Sequence, residues 1–541
     1  MEKNYGRRLD GHGMERMTGG QAVVGQLARE GVEVAFGIPG VHSLEIYDAL
    51  VDSDVDHVTG RHEQGVGFMA DGYARATGRV GVALVITGPG LTNVATPVGQ
   101  AYSDSVPVLV ISTANATNEG DRGKGHLHEL KDQQGVMESI AAYSERVERV
   151  ADAPRAIADA FEYLDSHRPR PVHVELPTDV LEREEPAELV DRPPVSLPSP
   201  DESRLDEAVD RLAAAEDPLL VVGGGATGAA GRIRRFVEEL GVPVVTTTAG
   251  RGVVPADHEL CLDASIRHDA AAEYAASRDF VLALGTELSA QETGSVDLPA
   301  ELVHVDIDYT NFGNNHDTAL GVVGDCGDAV AHLHERAVDR GVRFEGTRAG
   351  VTAARPAPLA ETAEEEPRHR VIAVLREALA DDAVVVNDMT KLCYEAASRF
   401  PMGEPGAFLF PRGYGTLGYA PPAAYGAAVG EPDRQVLALV GDGGFLFTVG
   451  DLATAVRYDL GVPVVLLNDD SYDILEDVQR RDYGRTMGTD IENPDFVPLA
   501  RSFGAEACRV EMADLEAELP ERLDAAFDRD TPTVIEIPVE F

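Results

Sequence analysis

Short apolar runs punctuate this chain, each bounded by turn-forming residues and each followed by a stretch with helical spacing. Residues 82–86 (VALVI), 171–177 (PVHVELP), 219–222 (LLVV), 242–246 (VPVVT), 280–284 (FVLAL), 303–307 (VHVDI), 436–440 (VLALV), 462–467 (VPVVLL) and 534–537 (VIEI) are of this kind. Such near-continuous hydrophobicity marks strands buried on both faces, as in parallel sheets. Strand and helix alternate throughout, which predicts an α/β fold of doubly wound parallel sheets covered by helices. A proline-rich stretch over 192–200 and one rich in Pro, Ala and Glu over 355–366 divide the chain. The division predicts domains over 17–185, 201–345 and 366–541, after a polar tail over 1–16. A chain of 541 residues calls for more than one core in any case.

The strand over 436–440 stops at Gly441, so Asp442 stands at its carboxyl end. A helix is expected over 451–458 and a strand over 462–467, which puts Asn468-Asp469-Asp470 at the next carboxyl end. Open α/β sheets bind ligands at such ends, although a Gly-Asp turn between strands of any α/β protein would look the same. A second set lies far upstream: Phe36-Gly37-Ile38-Pro39-Gly40, Arg61-His62-Glu63, Ala70-Asp71-Gly72-Tyr73-Ala74-Arg75, then Gly88-Pro89-Gly90 and Asn93. Together, in this order, the two sets resemble the thiamine-diphosphate enzyme family that includes acetolactate synthase. The resemblance runs from residue 17 to residue 541.

It implies a pyrimidine-binding first domain, a central domain and a diphosphate-binding third domain. Glu63 would bond N1′ of the cofactor's aminopyrimidine and relay the proton that turns the 4′-amino group into an imine, the base for the thiazolium carbon. Such a relay needs a carboxyl tuned by burial. Gly40, Gly88 and Asn93 would lie along the cofactor. Leu417, in Gly415-Thr416-Leu417-Gly418, would press beneath it and hold it bent, with Gly415 alongside. Asp442, Asp469 and a backbone carbonyl near Ser471 would ligate Mg²⁺, which takes oxygen ligands together with phosphate oxygens. Gly441, Gly443 and Gly444 would let N–H groups approach the diphosphate, with Thr390 and Tyr472 as further contacts. Ordinary roles stand beside these: a solvated glutamate at Glu63, core packing at Leu417, a helix N-cap at Thr390. Asp469 departs from the family's second Asn, and its added charge predicts a stronger dependence on the divalent ion.

The reaction expected first is an acetolactate synthase-like one, in which a 2-oxo acid loses CO₂ and the remaining fragment is joined to a second 2-oxo acid. The alternative is a decarboxylase releasing an aldehyde. Val41 stands where pyruvate decarboxylases carry an acid, and His126-Leu127-His128-Glu129 lacks their adjacent His pair. There is no Trp, and Val478 holds about the position where many acetolactate synthases have one. Residues 36–42, 125–130 and 246–250 look most like a subgroup containing 5-guanidino-2-oxopentanoate decarboxylase. Its cationic substrate could pair with Asp473, Glu476 and Asp477 on a helix after the metal motif, although acids are common everywhere in this chain. His128, with His126, is a candidate proton donor or substrate contact; a structural loop histidine is the alternative. Gly223-Gly224-Gly225 follows a strand but lacks G-x-G-x-x-G spacing, so FAD stays open without being favoured, and a dinucleotide dehydrogenase is disfavoured. A non-catalytic cofactor-binding protein would be expected to lose Glu63 or Asp442, and both are present.

The family's cofactor bridges two subunits, which implies a homodimer or homotetramer. No apolar run approaches the ~18 residues of a membrane span, and no signal-peptide pattern opens the chain. The four scattered cysteines, Cys261, Cys326, Cys393 and Cys508, fit reduced thiols in a cytoplasm. The net charge is −47, with 93 Asp and Glu against 46 Lys and Arg, which argues against nucleic-acid binding. Acidity spread over the whole chain resembles a halophile's surface, where salt screens self-repulsion. The melting temperature is therefore expected to rise as salt increases from about 0.1 M to about 1 M; a flat or falling profile in a thermal melt would refute the halophilic reading.

Overall fold

The computed structural model describes residues 8–9, 15–119, 123–364 and 366–539. Three domains each hold a parallel six-stranded sheet flanked by helices. The first contains β1 (Val34–Gly37), β2 (Asp56–Thr59), β3 (Gly81–Val85), β4 (Val108–Ala114), β5 (Tyr143–Arg146) and β6 (Val172–Pro177). The central sheet contains β7 (Pro218–Val222), β8 (Val244–Thr246), β9 (Cys261–Ser265), β10 (Phe280–Leu284), β11 (Leu302–Asp306) and β12 (Leu320–Val323). The third contains β13 (Val384–Asn387), β14 (Phe408–Leu409), β15 (Val436–Gly441), β16 (Pro463–Asn468), β17 (Glu506–Arg509) and β18 (Thr533–Pro538). The interior strands are buried along their length, as both-faces-covered parallel strands must be.

The first sheet runs β2-β1-β3-β4-β6-β5 and the third β14-β13-β15-β16-β18-β17, the same order twice. The central sheet runs β9-β8-β7-β10-β11-β12, the 3-2-1-4-5-6 order of dinucleotide-binding folds. In the first sheet the order reverses between β1 and β3, and in the third between β13 and β15, and there the loops open a crevice at the strand carboxyl ends. Gly40 and Gly88 follow β1 and β3, Glu63 follows β2, Asp442 follows β15 and Asp469 follows β16.

Three local readings differ from the sequence expectation. Much of the 1–16 tail lies outside the described residues, but Arg8–Leu9 and Glu15–Thr18 are antiparallel strands, the latter paired with Glu184–Pro186. The helix after β15 starts at Asp442 itself, as Asp442–Thr448 and then Leu452–Arg457, rather than over 451–458. The second divider carries a short helix, Leu359–Thr362. Cys261, Cys326 and Cys393 are buried free thiols, and Cys508 is half-buried. No helix among the described residues is long and apolar enough to cross a membrane.

The first and third domains pack directly through the helices Glu63–Thr77 and Ala420–Gly430, in one shared core with Phe68, Tyr73, Tyr419 and Phe445. Small residues permit the close crossing: a Cβ at Gly72 would lie 1.9 Å from the Ala423 carbonyl oxygen, and one at Gly426 equally close to that of Met69. Polar groups cross as well, with Tyr419 Oη donating to the buried Asp71 at 2.6 Å. Gly72→Ala is expected to destabilise the protein by about 1–3 kcal/mol through overpacking; unchanged denaturant unfolding would contradict this packing.

Candidate active site

Glu63 opens its helix immediately after β2, and the His62 side chain caps the turn by accepting from Gln64 N–H. The Glu63 carboxylate is half-buried and its Oε2 accepts from Asn93 Nδ2 at 2.9 Å. The loop after β3 passes beside it: a Cβ at Gly90 would stand 3.3 Å from Glu63 Oε1. Gly88, with φ +68°, donates its N–H to the buried Gln133 Oε1 at 2.9 Å. Gln133 in turn donates to the buried Glu175, which is paired with Arg146 at 2.6 Å. Gly40 lies against the Ile86 side chain.

His128 adopts φ +61°, and its carbonyl packs against Gly88. Its ring stands 5.4 Å from that of His42, whose Nδ1 is 3.0 Å from Thr87 Oγ1. Burial, and then the neighbouring His128, hold the His42 imidazole below its ordinary pKa, so it is neutral at pH 7. Two histidines far apart in the chain thus meet in space. His126 points elsewhere, with Nδ1 3.7 Å from Glu119.

On the third domain, the buried Asp442 accepts from Gly443 N–H at 2.7 Å and from Asn493 Nδ2 at 2.6 Å. Asn493 also reaches Asn468 Oδ1 and Asp470 Oδ1. Asp469 accepts from Ser471 N–H at 3.1 Å. Burial, then the Asp442 charge, push the Asp469 carboxyl up to about 7, and burial also raises Asp442. Two acids that resist ionising together are a seat for a hard cation. Among the described residues no three His, Cys, Asp or Glu side chains cluster for a metal, so outside oxygens would have to complete the shell. The Tyr472 ring closes over Gly443, where a Cβ would come within 2.6 Å of it. Gly444 leaves similar room beside Asp388. Thr390 begins the helix Lys391–Arg399 without a side-chain cap bond, and its Oγ1 faces Gly441 instead. Leu417 is half-buried in a loop held by Asp388, which accepts from Gly418 N–H at 3.1 Å and Ala420 N–H at 2.9 Å. Gly415 and Gly418 turn that loop with φ +71° and +77°.

These residues suit thiamine diphosphate and Mg²⁺: oxygen donors for the ion, glycine backbone for the diphosphate, and a half-buried carboxyl for N1′. Within one chain, however, they form two separate groups. The first and third domains also touch where Arg61 N–H donates to the buried Asp451 at 3.0 Å. Asp473, Glu476 and Asp477 do lie on one helix, Asp473–Tyr483, but they are not a free acidic patch. Lys391 Nζ is 2.5 Å from both Asp473 and Asp477, and Arg480 pairs with Glu476. Sequence reading missed Gln133, Asn493 and Asp451, which stand in no motif, and gave His42 no role although it closes the 36–42 stretch. Asp388 could have been found, since it follows a strand just as Asp442 does.

Asp469 generates a pH prediction. Its folded carboxyl titrates near 7, above the ordinary ~4 of an unfolded chain. Its contribution is favourable below about pH 4 and is lost as pH rises through 7. Metal-free protein should therefore lose stability from about pH 4 to pH 7 and level off above, and Asp469→Asn should flatten that slope in thermal melts and weaken apparent Mg²⁺ affinity. An unchanged slope and an unchanged affinity would count against the paired-carboxylate site.

Comparison with known proteins shows the family. Family models for the thiamine pyrophosphate enzyme match in order: the N-terminal TPP binding domain over 17–136, the central domain over 205–333 and the C-terminal TPP binding domain over 388–537. A protein named as a probable 2-ketoarginine decarboxylase from Pseudomonas aeruginosa is 41% identical, covering 99% of this chain and 96% of its own length. The acetolactate synthase large subunit of Corynebacterium glutamicum is 34% identical over 96% of this chain and 87% of the relative. A probable acetolactate synthase large subunit from Methanocaldococcus jannaschii is 31% identical over 97% of this chain and 92% of the relative. With all three domain models in place and full-length relatives at these identities, the chain belongs to the thiamine pyrophosphate enzymes.

Proposed function

We propose that this enzyme decarboxylates a 2-oxo acid with thiamine diphosphate held through Mg²⁺, and that it releases an aldehyde. Bound there, the cofactor would supply a carbon nucleophile and an electron sink for decarboxylation. Glu63, oriented by Asn93, holds and returns the proton at N1′. Asp442 and Asp469 hold the ion, and Leu417 supports the ring from the Asp388-anchored loop. The observation that carries aldehyde release is the His42–His128 contact beside the Gly88 loop. Through this pair a proton could pass toward bound substrate, one ring taking up a proton as the other gives one. The 41% identity to a probable 2-ketoarginine decarboxylase supports the same outcome and suggests 5-guanidino-2-oxopentanoate as substrate. Its cationic tail suits a chain of net charge −47. Ligation to a second 2-oxo acid is the second reading, favoured by the acetolactate synthase relatives.

The working unit in this proposal is a homodimer or a larger homo-oligomer, with Glu63 of one chain facing Asp442 and Asp469 of another. Exposed Val41, Leu44 and Leu127 in the first domain, and exposed Phe447 and Leu475 in the third, are apolar surface that a second copy would cover. FAD is not part of the proposal. At the central switch point Gly223 and Gly225 N–H already donate to the carbonyls of Leu284 and Gly285, both at 2.9 Å, which takes donors a pyrophosphate would need. We place the enzyme in the cytoplasm, consistent with its free thiols.

Product analysis tests this reading. In high salt, with thiamine diphosphate and Mg²⁺, 5-guanidino-2-oxopentanoate should yield CO₂ and 4-guanidinobutanal, and Glu63→Gln should lower kcat at least ~100-fold. Acetolactate from pyruvate as the main product would move the enzyme to the ligating reading. No CO₂ from any 2-oxo acid would overturn both.

A further inference from the structure

The stretch 246–250 at the end of β8, singled out by its sequence, has no part in the site described above, yet its polar groups are buried. Thr248 donates from N–H at 2.6 Å and from Oγ1 at 3.0 Å to Glu292 Oε1. Glu292 is only 6% exposed and lies in the short helix Ala290–Thr293 that follows β10. Its other oxygen, Oε2, is 2.6 Å from Nε of Arg412, a residue of the third domain. Arg412 also donates to the Gln291 carbonyl. This is a largely buried ion pair across a domain boundary, set at the carboxyl edge of the central sheet, where a dinucleotide-binding fold would hold its ligand.

Arg412 begins the segment that runs through Gly413 and Gly415 to Leu417. The first domain holds the same segment, since Asp104 accepts from Gly413 N–H at 2.8 Å. The third domain holds its far end through Asp388. All three domains therefore converge on one loop, and the central domain's share is the Glu292–Arg412 pair. A neighbouring contact works in the same sense: Arg251 donates to the carbonyls of Ser398, at 2.9 Å, and Phe400, at the end of the helix that Thr390 begins.

We infer that Glu292 is a positioning residue: through Arg412 it sets the height of the loop carrying Leu417, so that the central domain serves as a brace for the cofactor-binding loop. The inference rests on the role proposed for Leu417, but the contact itself is testable without turnover. Breaking a buried pair leaves an uncompensated charge, and a displacement of about 1 Å near reacting atoms costs up to ~100-fold in rate. Glu292→Gln keeps the volume and the Thr248 hydrogen bonds, so the fold should survive.

The experiment is amide hydrogen exchange on the full-length chain, wild type against Glu292→Gln, followed by kinetics with thiamine diphosphate and Mg²⁺. Exchange over 413–418 should rise at least ~10-fold while β15 and β16 stay protected. In the kinetics, kcat should fall ~10-fold or more with substrate KM within about twofold. The double variant Glu292→Gln/Arg412→Lys should lose little beyond the single variants, because both act through one contact. Unchanged exchange over 413–418 would overturn the inference. So would loosening of the whole third domain, or losses that multiply in the double variant. Absent turnover in the wild type would instead refute the proposed function and leave the exchange result to decide the brace.

Discussion

Two carboxylates side by side govern this structure. Asp442 and Asp469 end adjacent parallel strands, β15 and β16, and burial leaves neither with enough water to carry its charge comfortably. A fold accepts that cost where a cation is to be held. The neighbours are arranged accordingly: Asn493 ties Asp442 to Asn468 and Asp470, Ser471 N–H steadies Asp469, and the glycines leave backbone open where the Tyr472 ring closes in. Asp469 places a second acid beside Asp442, and a cation held there would relieve the pair.

A second group of residues, around Glu63, stands at the strand carboxyl ends of the first sheet. The first and third sheets share one strand order, so each presents a switch point with glycine-rich loops at the strand ends. Their direct packing through glycine- and alanine-lined helices fixes the two domains against each other within a chain. Buried polar contacts stiffen the arrangement: Asp71 with Tyr419, Arg61 N–H with Asp451, and Gln133 beneath Gly88. The central domain, with a nucleotide-binding strand order, spends its carboxyl edge on contacts to the third domain instead.

Much of this was legible in the sequence, because buried parallel strands leave continuous apolar runs and the acids follow those runs directly. Residues 280–284 match β10 residue for residue, and Asp442 and Asp469 lie at strand ends as read. The helix starting at Asp442 was not legible. Gly443 and Gly444 are poor helix formers, and it is the packing of Phe445 in the shared core that holds the turn. The His42–His128 pair, Gln133 and Asn493 were hidden for another reason: each depends on contacts between distant loops that leave no local periodicity. The acids at 473, 476 and 477 were visible, but Lys391 and Arg480, which neutralise them, were not connected to them until the fold was known.

The central claim is that the Asp442–Asp469 pair holds a divalent ion that in turn holds the diphosphate. Calorimetric titration of thiamine diphosphate into the metal-stripped protein, with and without Mg²⁺, tests it most directly. The account predicts strong binding only when Mg²⁺ is present, and loss of that binding in Asp442→Ala. Equal binding in the presence of a chelator, or unimpaired binding by Asp442→Ala, would contradict it.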